Sequence, residues 1–188
     1  MKNLIIYAHP DAGSFNHSIK ETLVRKLEQN GDEVVVRDLY ALGFDPVLTT
    51  ADLLASRTGR MPEEIAVEQA YLAWAEVVTF VYPIWWTGLP AVMKGYIDRV
   101  FSYGFAYRYV EGVQEGLLKG KKAVIINTQG KSHAEYRAGG MDQALRLTSD
   151  RGIFEYCGFE IRHHLFLESV LRAGPEQKAQ WLEDIRNL

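Results

Sequence analysis

Two adjacent tryptophans lie in the most distinctive stretch of the sequence, which reads Tyr-Pro-Ile-Trp-Trp-Thr-Gly-Leu-Pro over residues 82–90. This stretch joins an apolar run, residues 77–81, to a segment that Pro90 can open as a helix. Neighbouring side chains on a loop point apart, so Trp85 and Trp86 are not expected to share one core. Aromatic rings beyond the carboxyl end of a strand are placed to meet a flat ligand. The stretch therefore predicts a site for a planar ring, with core packing or a subunit contact as the alternative.

A second candidate segment follows the first apolar run and contains His9 and the tripeptide Ser14-Phe15-Asn16. It lacks the G-x-G-x-x-G pattern that brings a backbone against a dinucleotide pyrophosphate. A hydroxyl, an amide side chain and the free N–H groups of a helix N-terminus instead suit a phosphate monoester or pyrophosphate. The alternative is that Ser14 is an ordinary N-cap and His9 an ordinary loop residue.

The third candidate segment covers residues 127–133 and contains Gln129 and the tripeptide Gly130-Lys131-Ser132. The tripeptide resembles half of a P-loop, but Ile125 stands where the earlier glycine belongs, which excludes a nucleotide triphosphatase. The sequence contains no G-x-S-x-G or H-E-x-x-H pattern, so no motif indicates a hydrolase or a metal site. Backbone N–H groups and Gln129 could hydrogen-bond the carbonyls of a heterocycle, and a plain surface turn is the alternative.

Composition indicates an ordinary globular protein, and the 188 residues are predicted to form one domain over 1–188. The net charge of -3, without a basic run, argues against a nucleic-acid partner. The single Cys157 cannot form an internal disulfide and is predicted to be a buried structural thiol. No cationic leader and no apolar run of bilayer length is visible, so we expect a cytoplasmic protein without membrane insertion.

Five short runs rich in valine and isoleucine alternate with segments of helical period, which is typical of a parallel sheet covered on both faces. The predicted strands are Asn3 to Ala8, Glu33 to Asp38, Val77 to Tyr82, Lys122 to Asn127 and Phe159 to Leu167. A first helix can begin at Ser14 and end at Gly31, and others are expected from Pro62 to Trp74, Pro90 to Phe101, Ala138 to Tyr156 and Pro175 to Leu188. Without dinucleotide glycines in the first loop, we predict an α/β flavodoxin-like three-layer fold with strand order 2-1-3-4-5.

The motifs and their order resemble the NAD(P)H:quinone oxidoreductases, the group of DT-diaphorase and the smaller bacterial flavodoxin-like NAD(P)H dehydrogenases. The resemblance runs from residue 3 to about residue 167, at similar spacing. It rests on His9, Ser14-Phe15-Asn16, Asp38-Leu39-Tyr40, Tyr82-Pro83-Ile84, Trp86, Gly88-Leu89-Pro90, Lys94-Gly95, Arg99-Val100-Phe101, Gly104-Phe105-Ala106-Tyr107, Lys121-Lys122-Ala123-Val124 and Cys157-Gly158-Phe159. It implies a tightly held flavin, NADPH or NADH as hydride donor, a quinone or similar acceptor in a two-step ping-pong reaction, and a homodimer with shared active sites.

The resemblance also implies a role for each matching residue. The phosphate end of the flavin would be held by His9, Ser14, Phe15 and Asn16. The isoalloxazine would be flanked by Pro83, Ile84, Trp85 and Trp86, and its polar edge would meet Thr128, Gln129 and Gly130. Tyr136 would lie near the flavin O2 and act as the catalytic residue. The substrate pocket would be shaped by Trp86, Phe105, Tyr107 and Tyr109, the last two reaching across the dimer.

From the residues alone, the alternation of Tyr103, Phe105, Tyr107 and Tyr109 predicts a strand whose aromatic face packs in a subunit interface. Two departures from the family pattern stand out. The histidine that follows the family's tyrosine is absent after Tyr136, and His133 is the nearest candidate to replace it. The segment before the Pro62 helix and the basic residue near the C-terminus that help hold an adenine dinucleotide are also absent, which favours FMN over FAD.

Two other functions share these features. A flavodoxin-type electron carrier would have the same fold and FMN, although such carriers are strongly acidic, unlike this chain. A regulatory subunit of a membrane transporter is the second alternative, on which the sequence is silent. Arg137 and Lys131 could favour the 2′-phosphate of NADPH, or they are solvated surface charges.

Overall fold

A computed structural model describes all 188 residues of the chain. Five parallel strands form one sheet: β1 (Lys2–Tyr7), β2 (Glu33–Asp38), β3 (Val77–Pro83), β6 (Lys122–Thr128) and β7 (Glu160–Leu167). Their order is β2-β1-β3-β6-β7. The two remaining strands, β4 (Tyr107–Val110) and β5 (Val113–Gly116), form a separate antiparallel hairpin. With the hairpin set aside, the order is the predicted 2-1-3-4-5, so the flavodoxin-like sheet is confirmed.

Helices cover both faces of this sheet. They are α1 (Phe15–Gln29), α2 (Thr50–Thr58), α3 (Glu63–Trp74), α4 (Ala91–Val100), α5 (His133–Ala138), α6 (Met141–Leu145), a π-helix (Arg146–Glu155) and α7 (Pro175–Arg186). None of them combines the length and the apolar character needed to cross a bilayer.

The apolar run of β1 shows why the strands carry few polar residues. Leu4 and Ile6 pack in the core beneath α3 and α4, whereas Ile5 and Tyr7 pack in a second core beneath α1 and α7. Successive side chains of a strand point to opposite faces, so a strand covered on both sides buries nearly every residue. The polar residues are therefore concentrated where the strands end.

The segment from Ala138 to Tyr156 was predicted as one helix, and this is wrong in detail. Helix α5 starts earlier, at His133, because Ser132 caps it in a reciprocal capping box with Glu135. Gly140 then takes a left-handed conformation, with φ of 70°, and starts the short helix α6. The chain continues as the π-helix. Helix α2 was not predicted at all, although Thr49 and Asp52 form a capping box at its start.

The aromatic strand was also placed too early in the sequence. Strand β4 begins at Tyr107, Phe105 lies in the turn before it, and Tyr103 forms an isolated bridge with Tyr107 across that turn. Tyr107 and Tyr109 do share one face of the hairpin, with ring centroids 6.3 Å apart, and the Tyr103 ring lies 5.9 Å from that of Tyr107. The aromatic face therefore exists, but a turn contributes part of it.

Candidate active site

The carboxyl ends of β1, β3 and β6 are neighbours in the sheet, and the three predicted segments follow them. The backbone N–H of Ala8 donates to Val81 O at 3.0 Å, and the N–H of Ile84 donates to Thr128 O at 2.8 Å. These bonds extend the ladder past the strand ends. The edge they form, hereafter the strand-tip edge, unites residues 8–16, 83–88 and 128–132.

The N-terminus of α1 is the part of this edge suited to an anion. Ser14 caps the helix by accepting from the His17 N–H at 3.2 Å, as predicted. The backbone N–H groups of Phe15 and Asn16 donate to no atom of the chain. Two free amides at the positive end of a helix dipole attract phosphate.

The loop before α1 is organised around His9 and Asp11. The His9 Nδ1 accepts from the Asp11 N–H at 3.1 Å, so the proton of a neutral ring sits on Nε2. Asp11 in turn accepts from the Gly13 N–H at 2.7 Å. The His9 ring lies 5.9 Å from the Trp85 ring, which joins the first two predicted segments.

Two buried amide side chains at the strand-tip edge each have an oxygen without a hydrogen-bond partner. Asn16 donates through Nδ2 to the Thr128 hydroxyl at 2.8 Å, yet its Oδ1 is unpaired. Gln129, which is 1% exposed, donates through Nε2 to Lys131 O at 3.0 Å, and its Oε1 is also unpaired. Buried polar atoms almost always have partners, so two orphaned acceptors indicate a ligand with N–H or O–H donors.

The loop after β6 supplies the complementary donors. The N–H groups of Gly130 and Lys131 make no hydrogen bond within the chain, whereas the Gln129 N–H donates to Leu167 O at 2.9 Å. A side chain added at Gly130 would meet open space, so this position leaves the backbone accessible. The loop therefore offers two free donors next to the unpaired oxygen of Gln129.

The tryptophans sit on a tight turn after β3. Trp85 and Gly88 exchange backbone hydrogen bonds of 3.1 and 3.0 Å, and Trp86 and Thr87 between them have φ of 52° and 55°. This is the geometry of a type I′ turn, which is strained for residues with a β-carbon. Pro83 and Ile84 are buried at its base, and Trp85 is 40% exposed beside His9. The Trp86 side chain is fully exposed at the tip and covers none of the other residues of the edge.

The Phe15 ring contacts helix α7. It packs against Trp181 of α7, with ring centroids 5.8 Å apart, and the Lys178 ammonium lies 5.8 Å above it. Only the free backbone N–H of Phe15 is thus available to a phosphate.

Tyr136 is half-buried on α5 and lines a cavity of about 330 Å³ beside the strand-tip edge. The other residues around this cavity are Gln129, His133, Arg137, Asp142, Leu145, Arg146, His164, Leu165 and Phe166. The structure therefore brings the predicted catalytic tyrosine to the same cavity as Gln129.

Apart from Trp86, the predicted substrate residues belong to the β4 region and not to the strand-tip edge. Tyr107 lines a different cavity, of about 820 Å³, which shares no residue with that of Tyr136. The Tyr109 hydroxyl is 2.9 Å from the Tyr156 hydroxyl, and this bond and burial raise the pKa of Tyr156 to about 12. Phe105 is half-buried against the core. One chain alone does not bring these aromatic residues to the strand-tip edge.

Comparisons with known proteins agree on one family. A family model described as a flavodoxin-like fold matches residues 1–188. The chain is 40% identical over 181 residues to a Haemophilus influenzae protein named "Uncharacterized NAD(P)H oxidoreductase", covering 95% of this chain and 90% of that one. It is 32% identical over 200 residues to NAD(P)H dehydrogenase [quinone] 1 of Rattus norvegicus, covering 96% and 73%. The chain belongs to the NAD(P)H:quinone oxidoreductase family.

A solved structure of the same family extends the likeness to three dimensions. The NAD(P)H:quinone oxidoreductase from Methanothermobacter marburgensis superposes with a TM-score of 0.88 at 25% identity, covering 98% of this chain and 95% of that one. The predicted resemblance is thereby confirmed, and the chain is an oxidoreductase of this family.

The sequence motifs did not reveal a buried polar network beside the strand-tip edge. His164 lies with Nδ1 2.6 Å from Asp150 Oδ1 and with Nε2 2.8 Å from Asn127 Oδ1. Asn127 donates through Nδ2 to Tyr82 O at 3.1 Å. Burial by itself would raise the pKa of Asp150. The hydrogen bond from His164 and the charge of its ring outweigh burial and hold that pKa below its ordinary value. The available signal was polar: an asparagine ending an apolar strand, and a histidine pair within another.

Proposed function

We propose that the chain is a flavin-dependent NAD(P)H oxidoreductase that passes a hydride from a reduced nicotinamide through a bound flavin to a quinone or similar small acceptor. The observation that carries this proposal is the strand-tip edge, where free backbone donors and unpaired buried acceptors lie together. The names of the relatives, which refer to NAD(P)H and quinone, support the donor and the acceptor.

The residues of the edge fit a flavin mononucleotide. The free N–H groups of Phe15 and Asn16 suit its phosphate, and those of Gly130 and Lys131 suit the carbonyls of its ring. The unpaired oxygens of Asn16 and Gln129 suit its ribityl hydroxyls and ring N–H. A bound flavin supplies hydride acceptance and donation at N5, which no amino-acid side chain can provide. FMN rather than FAD remains our proposal, and so does a cytoplasmic location.

The protein's contribution is to orient the reactants and to hold charge. Trp85 and Ile84 would fix the plane of the ring, and the donors of residues 130 and 131 would stabilise negative charge on its reduced form. Tyr136, on the wall it shares with Gln129, would add a hydroxyl donor. No nucleophilic side chain is required.

The function is tested first by the pigment. Purified protein is heated, and the released dye is identified by absorption spectrum and mass, with FMN expected. Anaerobic stopped-flow mixing with NADPH and NADH should then bleach the flavin, and a quinone should restore its colour. A preparation that is colourless and takes up neither FMN nor FAD refutes the proposal. Flavin that neither nucleotide reduces indicates an electron carrier instead.

The role of Tyr136 is tested by Tyr136→Phe, with Tyr40→Phe as the control, since Tyr40 is exposed and does not line the cavity. We expect a lower flavin potential and slower turnover only in the first variant, because a donor to the reduced ring is lost. Unchanged potential and turnover in Tyr136→Phe would show that the assignment is wrong.

We further propose a homodimer in which Phe105, Tyr107 and Tyr109 of one chain complete the site of the other. Two observations support it: these residues lie away from the strand-tip edge of their own chain, and Trp86 projects fully exposed from that edge. Apolar side chains on and before α2, namely Leu48, Leu53 and Leu54, are exposed as well.

Mixed dimers test this arrangement. Tyr136→Phe and Tyr107→Ala are expected to be weakly active alone. When the two are mixed and allowed to exchange, half of the sites in each heterodimer carry both native residues, so activity should recover. No recovery, in a preparation that sedimentation shows to be dimeric, would contradict the shared site.

A further inference from the structure

We infer that His164 is held as an imidazolium between Asp150 and Asn127, and that this buried pair is a positioning and charge-setting element for the flavin. The inference deepens the proposed function and rests on it. It concerns a residue in the fifth strand of the sheet that the family motifs in the sequence do not include.

The hydrogen bonds fix the protons of the ring. The Tyr82 carbonyl can only accept, so the Asn127 amide must turn its NH₂ towards it, 3.1 Å away. The Asn127 Oδ1 is then the atom that meets His164 Nε2 at 2.8 Å, and Nε2 must carry a hydrogen. On the other side, Asp150 Oδ1 lies 2.6 Å from Nδ1. Asp150, whose pKa the contact with His164 holds below its ordinary value, is ionised and can only accept, so Nδ1 is the donor as well. The same oxygen also accepts from the Ser149 hydroxyl at 2.8 Å.

The neighbourhood supports a cationic ring. The Phe166 ring stacks on His164 with centroids 4.1 Å apart, and aromatic faces stabilise cations. Arg146, which lies over the same phenyl ring at 5.0 Å, is a like charge that opposes the imidazolium, but it is half-exposed and lies 3.6 Å from Asp150 Oδ2, so the carboxylate faces both cations. The other titratable or charged groups facing this region are Tyr82, His133, Tyr136, Arg137, Asp142 and Glu168.

The pair of His164 and Asp150 is connected through Asn127 to the carboxyl ends of β3 and β6. Asn127 directly precedes Thr128 and Gln129, and it bonds the carbonyl of Tyr82, which directly precedes Pro83. His164 also shares the wall of the 330 Å³ cavity with Gln129 and Tyr136. Asp150 is presented by the π-helix, a rare conformation that recurs at functional sites. A change in the charge of the pair is thus felt at the edge proposed to hold the flavin.

A charge cycle tests the inference. His164→Gln removes the buried positive charge beside Asp150 and leaves only the half-exposed Arg146, 3.6 Å away, to offset the carboxylate, which opposes reduction of the proposed flavin. We expect its equilibrium constant for reduction to fall about tenfold or more, equal to roughly 30 mV for a two-electron couple. In the double variant His164→Gln with Asp150→Asn both charges are gone, so the constant should return to within about threefold of wild type. The control is His163→Gln, an exposed neighbour on the same strand.

Two results would overturn the charge-setting role. One is an unchanged reduction constant in His164→Gln. The other is a double variant as impaired as the single one, which a purely structural role predicts because two supports are then missing.

A second measurement needs no flavin. Nitrogen NMR of the flavin-free wild-type protein at neutral pH should show both ring nitrogens of one histidine protonated, with the signal missing in His164→Gln. A neutral tautomer at His164 refutes the imidazolium. If the protein binds no flavin, the proposed function fails on the pigment test, while this spectrum still decides the state of the ring.

Discussion

Two buried charge clusters, one around Arg99 and one around His164, use similar groups to different ends. Arg99, 5% exposed, donates to both carboxylate oxygens of Asp52 at 3.0 and 3.1 Å, to Asp45 O at 2.9 Å and to Glu64 at 3.0 Å. No buried polar atom in this cluster lacks a partner. The His164 cluster, by contrast, borders Gln129, whose oxygen is unpaired. Saturated hydrogen bonding indicates a structural joint, and an unsaturated edge indicates a place for a ligand.

The Arg99 cluster joins α2 and the segment before it to α4. One turn earlier on α4, Gly95 lets the backbone of residue 46 approach so closely that a β-carbon there would lie 2.2 Å from Pro46 O. Asp45, next to Pro46, is the residue whose carbonyl Arg99 binds. Position 95 therefore has no room for a side chain, whereas position 130 on the strand-tip edge has open space around it.

The largest expected effect comes from Arg99→Met. It leaves Asp52 buried without its partner, so the free energy of unfolding should fall by about 3–5 kcal/mol. Urea denaturation measures it, with Arg108→Met as control, because Arg108 pairs with Glu115 in solvent. Equal losses in both variants would break the distinction between a saturated buried cluster and a surface pair.

Gly95→Ala should destabilise by about 1–3 kcal/mol, because the added carbon meets backbone that cannot move aside. Helix propensity alone predicts the opposite sign, a gain of about 1 kcal/mol in a helix interior. Thermal unfolding distinguishes the two. A stabilised variant would mean that the contact between α4 and Pro46 is loose.

The pH dependence of unfolding sharpens the comparison. The hydrogen bond to Arg99 is the main cause of the lowered pKa of Asp52. Its stabilisation is therefore present above the ordinary value of about 3.9 and is lost as the pH falls through the lower folded value. In Arg99→Met the unpaired Asp52 takes up a proton more readily, so the deficit against wild type should narrow towards about pH 4. A deficit independent of pH would contradict the ion-pair account.

The smallest effect concerns the wall of the 820 Å³ cavity near Arg99, where Cys157 is buried. Burial raises the pKa of the Cys157 thiol to about 12, as expected of the structural thiol predicted from sequence. A thiol reagent should therefore react with the folded protein only at the slow rate of unfolding, and rapidly in denaturant. Fast labelling of the native protein would show that this region opens, unlike a saturated joint.

The sheet was predictable because each strand is encoded by a run of adjacent apolar residues. Runs such as that of β1 bury both faces, and the absence of dinucleotide glycines after it selected the strand order. The helix N-terminus at Ser14 was predictable for the same reason, since capping is a matter of adjacent residues.

What could not be predicted depends on contacts distant in sequence. The pairing of His164 with Asn127 requires the register of β7 against β6, including the irregularity between Ala123 and Val124. The packing of Phe15 on Trp181 joins the first helix to the last. The exposure of Trp86 follows from a strained turn that its sequence does not favour.

The orphaned oxygens of Asn16 and Gln129 have a consequence for how the molecule matures. Folding buries both atoms at a desolvation cost, and a ligand that donates hydrogen bonds to them removes that cost. Ligand binding and folding are then linked. The melting temperature rises with the concentration of the ligand, and preparations that are partly saturated with ligand melt in two steps. With the proposed flavin as that ligand, cells short of flavin would hold a less stable protein that is more open to proteolysis.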